Sequence, residues 1–166
     1  MAKRAPKPET RLPTIMNKQD DIVISSENPN SPDAFELIRE LDEELLSRYP
    51  KQSVHGMKPS EAVTFFIART DKRAIGCGAL REISPELAEI KRMFVRSNHR
   101  GKGISKQILR KLESTAIEFG YEKIWLETGD EQPEALHLYE SSGYHRIPCY
   151  GEYISDPHSI CFEKIL

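Results

Sequence analysis

The sequence is short of cysteine and has no long hydrophobic run, and each scarcity excludes a class of protein. Its 166 residues include three cysteines, an odd number, and no Cys-x-x-Cys pair. Neither a disulfide framework nor a zinc site is therefore predicted, and reduced thiols in a cytoplasmic protein fit best. No apolar run approaches the ~20 residues of a membrane-spanning helix. Metal-binding spacings such as His-x-x-x-His are also missing, so no metal is predicted.

An excess of charge of one sign is missing as well. Lys and Arg total 24 and Asp and Glu total 26, which gives a net charge of −2. Nucleic acids and anionic membranes select basic proteins, so neither partner is predicted. Residues 1–19 differ, because they are basic and proline-containing but have no secretory h-region. They are predicted to be a flexible extension, with an interaction arm as the alternative, before a single domain at residues 20–166.

Strand and helix signals alternate along the rest of the chain. Ser31 followed by Pro32 is typical of a helix start, and Pro50 predicts a helix end near Tyr49. Strands in hairpins with helices between them predict a layered mixed sheet. The predicted strands lie at 21–25, 63–69, 74–80, 87–95, 123–128 and 159–166, and the other helices at 103–119 and 133–143.

The strand at 87–95 does not alternate cleanly between polar and apolar residues. Lys91 and Met93 share one face of a regular strand, and Arg92 and Phe94 share the other. A bulge or a splayed strand would account for this pattern.

A glycine-rich segment, Arg100-Gly101-Lys102-Gly103-Ile104-Ser105, follows this strand and opens the next helix. Glycines let the backbone approach an anion, and the N–H groups of a helix start attract one. The segment therefore predicts a phosphate-bearing ligand. It is not a P-loop, and Lys106 stands where a Rossmann fingerprint needs its third glycine.

Two motifs resemble the GNAT N-acetyltransferase superfamily. Arg100, Gly103 and Ser105 follow its pattern R-x-x-G-x-(small), although Ser105 replaces the usual Gly or Ala. Leu138 to Tyr144 follows the signature L-Y-x-x-x-G-[FY]. Small bacterial members also share the E-T-G segment at 127–129 and the ending Y-x-x-x-P-x-S-x-x-F-x-K at 153–164.

The resemblance implies an α+β fold with three layers (α/β/α), in which flanking helices cover a mostly antiparallel sheet with a splayed central strand. It also implies acetyl-CoA as the cosubstrate. Backbone groups freed in the broken strand would hold the pantetheine arm, and the glycine-rich segment would hold the pyrophosphate. The residues so implied are Met93, Phe94, Val95, Arg100, Gly101, Lys102, Gly103, Ile104 and Ser105.

Candidate catalytic residues follow from the same resemblance. Tyr139 matches the tyrosine near the CoA sulfur and could protonate the leaving thiolate, the alternative being packing alone. Glu89 occupies the position of a base that accepts the amine proton, the alternative being a salt bridge to Lys91 or Lys123. Glu127 is the rival base. The acceptor wall would include His55, which could instead be simply exposed.

These motifs predict an N-acetyltransferase that moves an acetyl group from acetyl-CoA to a primary amine by direct attack. A small-molecule acceptor is favoured, since no charged tract suggests peptide docking. The alternatives are a protein Nα- or Nε-acetyltransferase and an acyl-CoA-binding sensor without turnover. The sequence does not decide between a monomer and a homodimer.

Overall fold

A computed structural model describes residues 21–166, so the predicted extension at 1–19 lies outside the described residues. The described part contains a seven-stranded sheet in the order β1-β2-β3-β4-β5-β7-β6. Neighbouring strands are antiparallel except for β4 and β5, which are parallel. The strands are β1 (Val23–Ser26), β2 (Ala62–Thr70), β3 (Arg73–Ser84), β4 (Leu87–Val95), β5 (Lys123–Gly129), β6 (His145–Ile147) and β7 (Ser159–Ile165), and the helices are α1 (Pro32–Arg48), α2 (Ile104–Glu118) and α3 (Pro133–Ser141).

Strand alternation divides the core between the two faces of the sheet. In β2, Phe65 and Ile67 pack in a cluster with Leu37 of α1. Phe66 and Ala68 point the other way, into a cluster that contains residues of α2 and α3. The sheet is therefore buried on both faces. This arrangement confirms the predicted three-layer α+β fold.

Local signals place the first helix and the first hairpin as predicted. The Ser31 side chain accepts a hydrogen bond from the Ala34 N–H at 3.2 Å and caps α1, and Tyr49 ends the helix. The β2–β3 turn consists of Asp71 and Lys72, both with positive φ (45° and 64°). Two successive left-handed residues suit the twist of a hairpin.

Strand β4 is both bulged and splayed, as its irregular pattern predicted. Between the pairs Cys77–Phe94 and Ala79–Lys91, β4 contains one more residue than β3. Arg92 lies at this point with a φ of 60°. The parallel pairing of β4 with β5 ends at Ile90 and Leu126, although both strands continue. The two strands therefore separate and leave space between their carboxyl ends.

The short strand β6 was not predicted. It spans three residues and pairs with β7 at the sheet edge. Three residues are too few to show the alternation from which strands are read. Its position follows from pairing with β7, which is a tertiary contact.

The prediction that all cysteines remain thiols is wrong for one pair. Cys149 and Cys161 form a disulfide, with their Cα atoms 5.2 Å apart. Strand pairing produces this contact, because Ile147 of β6 lies opposite Cys161 in β7. Cys77 is buried and free, and burial raises its thiol pKa to about 12.

Reduction of the disulfide is expected to lower stability. The two cysteines are 12 residues apart, and a loop of that size contributes about 3 kcal/mol in the chain-entropy model. Tm of the wild type should fall when a dithiol reductant is added. Without reductant, Cys149→Ser should have a lower Tm than the wild type. Alkylation under denaturing conditions, read by mass, should label Cys77 alone before reduction. Labelling of all the cysteines without reductant would contradict the assignment.

In the described part of the chain, no helix is both long and apolar enough to cross a bilayer.

Candidate active site

A cavity of about 470 Å³ fills the space between the separated strands. Strand β4 forms one wall and the end of β5 the opposite one. Helices α1 and α3, the start of α2 and the loops at 49–55 and 99–103 complete it. The predicted site residues that line the cavity are His55, Glu89, Met93, Phe94, Val95, Arg100, Gly101, Gly103, Ile104, Ser105, Glu127 and Tyr139. Lys102 is exposed and lies outside the lining.

The wall beside the bulge is largely apolar. Met93, Phe94 and Val95 face apolar side chains from the two helices, which are Leu41, Leu45, Ala135 and Leu138. Helical spacing explains the facing residues, because positions four or three apart lie on one side of a helix. A bulge also leaves backbone groups without ladder partners. This wall suits a ligand arm that combines methylene and amide groups.

The glycine-rich segment joins this wall to the start of α2. Gly101 and Gly103 both have positive φ (75° and 76°), and a Cβ at either would meet no atom within 4 Å. The backbone is therefore open to a ligand. The N–H groups of 101–103 donate to no acceptor in the described chain, and the first turn of α2 adds further free donors. This cradle fits a pyrophosphate. The Ile104 side chain is buried in the core, so that residue offers only its backbone.

The Arg100 side chain braces the segment rather than pointing freely into solvent. Its Nε donates to the Val95 carbonyl at 2.7 Å, and its guanidinium donates to Glu44 of α1 at 2.6 and 3.1 Å. It also lies 5.6 Å above the Phe94 ring. Arg100 thus ties the segment to β4 and α1, and the backbone supplies the donors for an anion.

Tyr139 of α3 lies in the cavity wall and is almost fully buried. Its ring packs against Tyr144 and Phe162, with centroids 5.8 and 6.0 Å away. Burial, and secondarily the nearby Glu127 charge, raise the pKa of the hydroxyl. The phenol therefore keeps its proton at neutral pH and can donate it.

Glu89 lies at the floor of the cavity with both carboxylate oxygens engaged. It is fully buried. One oxygen accepts from the Tyr153 hydroxyl at 2.6 Å, and the other accepts from Arg81. The predicted alternative partners, Lys91 and Lys123, are not its ion-pair partners among the described residues. Glu89 thus holds Arg81 and Tyr153 in place.

Glu127 lies on the opposite strand and is partly exposed to the cavity. The Ser159 hydroxyl donates to one of its oxygens at 2.9 Å. Burial raises the pKa of the carboxyl, although the Ser159 hydrogen bond and the charges of His55 and Lys91 oppose the rise. A carboxylate with a raised pKa and a free oxygen can accept a proton.

His55 belongs to a cluster that links two loops beside the cavity. Its Nε2 lies 2.7 Å from the Asp156 carboxylate, to which Ser53 also donates at 3.0 Å. Burial of Asp156 opposes ionisation, but hydrogen bonds from the His158 N–H, His55 and Ser53 hold its pKa below the usual value. His55 is therefore a positioned residue and not an exposed one.

Lys91, Tyr153 and Asp156 were not among the predicted site residues. A signal for Tyr153 was present, because the ending Y-x-x-x-P-x-S-x-x-F-x-K includes it. The structure explains that ending: Tyr153 donates to Glu89, Ser159 donates to Glu127, and Lys164 pairs with Glu113. Residues of this ending therefore hydrogen-bond to Glu89 and Glu127, the two candidate bases, which lie far away in the sequence.

Position 129 of the E-T-G segment requires glycine because the Tyr49 side chain packs closely against its backbone. A Cβ there would lie 2.2 Å from the hydroxyl of Tyr49, and 2.4 Å from its ring. Tyr49 lines the cavity and accepts a hydrogen bond from the Glu131 N–H at 2.8 Å. Glycine thus lets the end of α1 pack onto the end of β5.

Residues 21–166 contain no cluster of His, Cys, Asp or Glu that could hold a metal ion.

Known proteins resemble this chain in sequence and in fold. Residues 32–144 match the family described as "Acetyltransferase (GNAT) family". The chain is 33% identical over 153 residues to the IAA acetyltransferase of Azospirillum brasilense, covering 88% of this chain and 99% of the relative. It is 34% identical over 123 residues to the uncharacterized N-acetyltransferase YsnE of Bacillus subtilis, covering 70% and 82%.

A solved structure shows the same fold. The GNAT family acetyltransferase of Elizabethkingia anophelis, with acetyl-CoA bound, has a TM-score of 0.68 at 21% identity, over 89% of this chain and 100% of the other. The family match covers strands β2 to β5, the glycine-rich segment and the Tyr139 helix together. This chain therefore belongs to the GNAT family of acetyltransferases, the acyltransferases that use acetyl-CoA.

Proposed function

We propose that this protein transfers the acetyl group of acetyl-CoA to the primary amine of a small molecule, by direct attack of the amine on the thioester. The observation that carries the proposal is the cavity itself. It connects the open glycine-rich segment to Glu127 and Tyr139 in one continuous space. Acetyl-CoA supplies the activated acetyl group, and the residues of the chain hold it and move the protons. A concave space of this size suits a small acceptor.

We assign the base to Glu127 in preference to Glu89. An amine is mostly protonated near neutral pH, so a group in the cavity must accept its proton before it can attack. Both Glu89 oxygens are already hydrogen-bonded, and its side chain is fully buried. Glu127 is partly exposed, and the raised pKa of its carboxyl favours proton uptake. Glu89 then serves to position Tyr153.

We assign protonation of the leaving thiolate to Tyr139. Its hydroxyl is protonated at neutral pH, as an ordinary phenol is, and burial raises its pKa further. Packing against Phe162 and Tyr144 fixes the ring. A fixed donor requires little reorganisation when charge develops on the sulfur. The thiolate is therefore stabilised as it forms.

The cofactor segment is tested by a matched pair of glycine substitutions. Gly103 and Gly120 flank α2, have positive φ (76° and 87°) and have open space where a Cβ would lie. Valine at either position should cost about 1–3 kcal/mol of backbone strain. Acetyl-CoA at 100 times Kd should raise Tm of the wild type by about 5–10 °C. Gly120→Val should keep this shift and Gly103→Val should lose it. An equal Tm shift in both variants would show that the pyrophosphate does not bind at this segment.

Turnover is tested by thiol release from acetyl-CoA with a panel of small amines. Acceptor-dependent release, with an acetylated product seen by mass, supports the transferase. A thermal shift without release for any amine or peptide would instead support the acyl-CoA-binding sensor. Release with peptides alone would support a protein acetyltransferase. A cytoplasmic location stays a prediction.

A further inference from the structure

Lys91 presents a buried ammonium group to the cavity that Glu127 and His55 also line. It follows Ile90, the last residue of β4 that pairs with β5, just as Glu127 follows Leu126. Both side chains therefore stand where the strands begin to separate, and both line the cavity. The Lys91 side chain is only 6% exposed. A buried charge normally has a full set of partners.

The partners of Lys91 leave part of its hydrogen-bonding capacity unused. Its Nζ donates to the Tyr153 oxygen at 2.6 Å, and the Tyr153 hydroxyl donates to Glu89 at 2.6 Å. An ammonium group has three donors. Among the described residues this is the one side-chain hydrogen bond that Lys91 makes. At least one N–H therefore remains for a ligand.

A protein carboxylate already lies near this position and forms only a long ion pair with Lys91. Glu152 places one oxygen 3.6 Å from Lys91 Nζ and the other 3.9 Å from His55 Nδ1. These distances exceed those of hydrogen bonds, and the Glu152 side chain is 50% exposed. The position between Lys91 and His55 is thus occupied by a carboxylate that is held only by long ion pairs.

Lys91 and Glu127, both in the described part of the chain, form no ion pair with each other. Their charges influence each other across the cavity, since the Lys91 charge opposes the rise in the pKa of Glu127. A ligand that carries a carboxylate and an ammonium group complements this pair. Its carboxylate would receive the free N–H of Lys91, while its amine would lie beside Glu127.

We propose that Lys91 is a carboxylate-binding residue and that the acetyl acceptor is an amino acid or a closely similar amino acid-like zwitterion. This inference rests on the proposed function. The acceptor ammonium first gives one proton to Glu127. The neutral amine then forms the N-acetyl bond as the C–S bond of the thioester breaks, and the sulfur leaves with the Tyr139 proton. The second amine proton returns the Tyr139 phenolate to its protonated form through solvent, so the net products are the N-acetyl compound, the CoA thiol and one proton on Glu127. Lys91 takes no part in these transfers and selects the acceptor.

The test uses the common amino acids together with their methyl esters and carboxamides, with thiol release as the readout. For the best acceptor, the wild type should use the free acid with a kcat/KM at least tenfold above that of its ester. Lys91→Met should raise KM for the acid roughly 10- to 100-fold, the range of one lost charged hydrogen bond. KM for the ester and for acetyl-CoA should change little, and Lys91→Arg should restore part of the preference.

Tyr153→Phe is the matched control, because it removes the hydrogen bond to Lys91 and keeps the ammonium group. It should retain the preference for the acid, which separates carboxylate binding from a structural role of Lys91. Equal use of acid and ester by the wild type would overturn the subsite and leave the transferase intact. An equal loss for acid and ester in Lys91→Met would also overturn it. Absence of release with every amine would instead overturn the proposed function.

Discussion

Glu127→Gln is expected to lower kcat/KM at neutral pH by about 10²–10⁴-fold, the range of general base catalysis. The effect should shrink at high pH, where the amine is already neutral. Because burial raises the pKa of Glu127, the wild-type profile of kcat/KM should have an acid limb above the ordinary range of a glutamate. That limb should disappear in the variant. Steady-state rates across pH provide the measurement.

The sign of the pKa shift also predicts the stability of this variant. A carboxylate whose pKa is raised in the folded state destabilises that state once it ionises. Glutamine removes the charge and can still accept from Ser159, so Tm at neutral pH should stay constant or rise. A loss of activity would then not reflect unfolding.

Glu89→Gln is the informative comparison for the base. It leaves Arg81 with only the more distant Glu61 carboxylate, 4.0 Å away, which should cost about 1–3 kcal/mol of stability. The acid limb should remain in place, since Glu127 is intact. If Glu89→Gln abolished the acid limb and Glu127→Gln retained it, the base would be Glu89.

Tyr139→Phe is expected to lower the single-turnover rate by roughly 10²-fold, the low end of general acid catalysis. Phenylalanine preserves the packing against Phe162 and Tyr144 and removes only the hydroxyl. Affinity for acetyl-CoA and Tm should therefore change little. Single-turnover measurement is needed, because product release can hide a change in the chemical step.

Tyr144→Phe is the matched control for this substitution. Tyr144 belongs to the same motif and is equally buried, but its hydroxyl donates to Glu113 at 3.0 Å and it does not line the cavity. It should lose some stability and keep its rate. Wild-type single-turnover rates in Tyr139→Phe would reduce Tyr139 to a packing residue.

The sequence by itself determined the elements that depend on local signals. The Ser31 cap, the end of α1 before Pro50 and the bulge in β4 are encoded by neighbouring residues, and the structure has them where the pattern predicts them. The glycines at 101 and 103 likewise favour the left-handed backbone that the structure has at this helix start. These features need no knowledge of the rest of the fold.

The tertiary structure decided which groups are free to act. Glu89 and Glu127 are equivalent as glutamates in strands. They differ in availability because Arg81 and Tyr153 occupy both oxygens of Glu89, while Ser159 bonds to only one oxygen of Glu127. Those partners come from β3, β7 and the turn before β7. The Cys149–Cys161 disulfide arises in the same way, from strand pairing that brings distant residues together. Burial and long-range hydrogen bonding set these properties, and neither is written in local sequence.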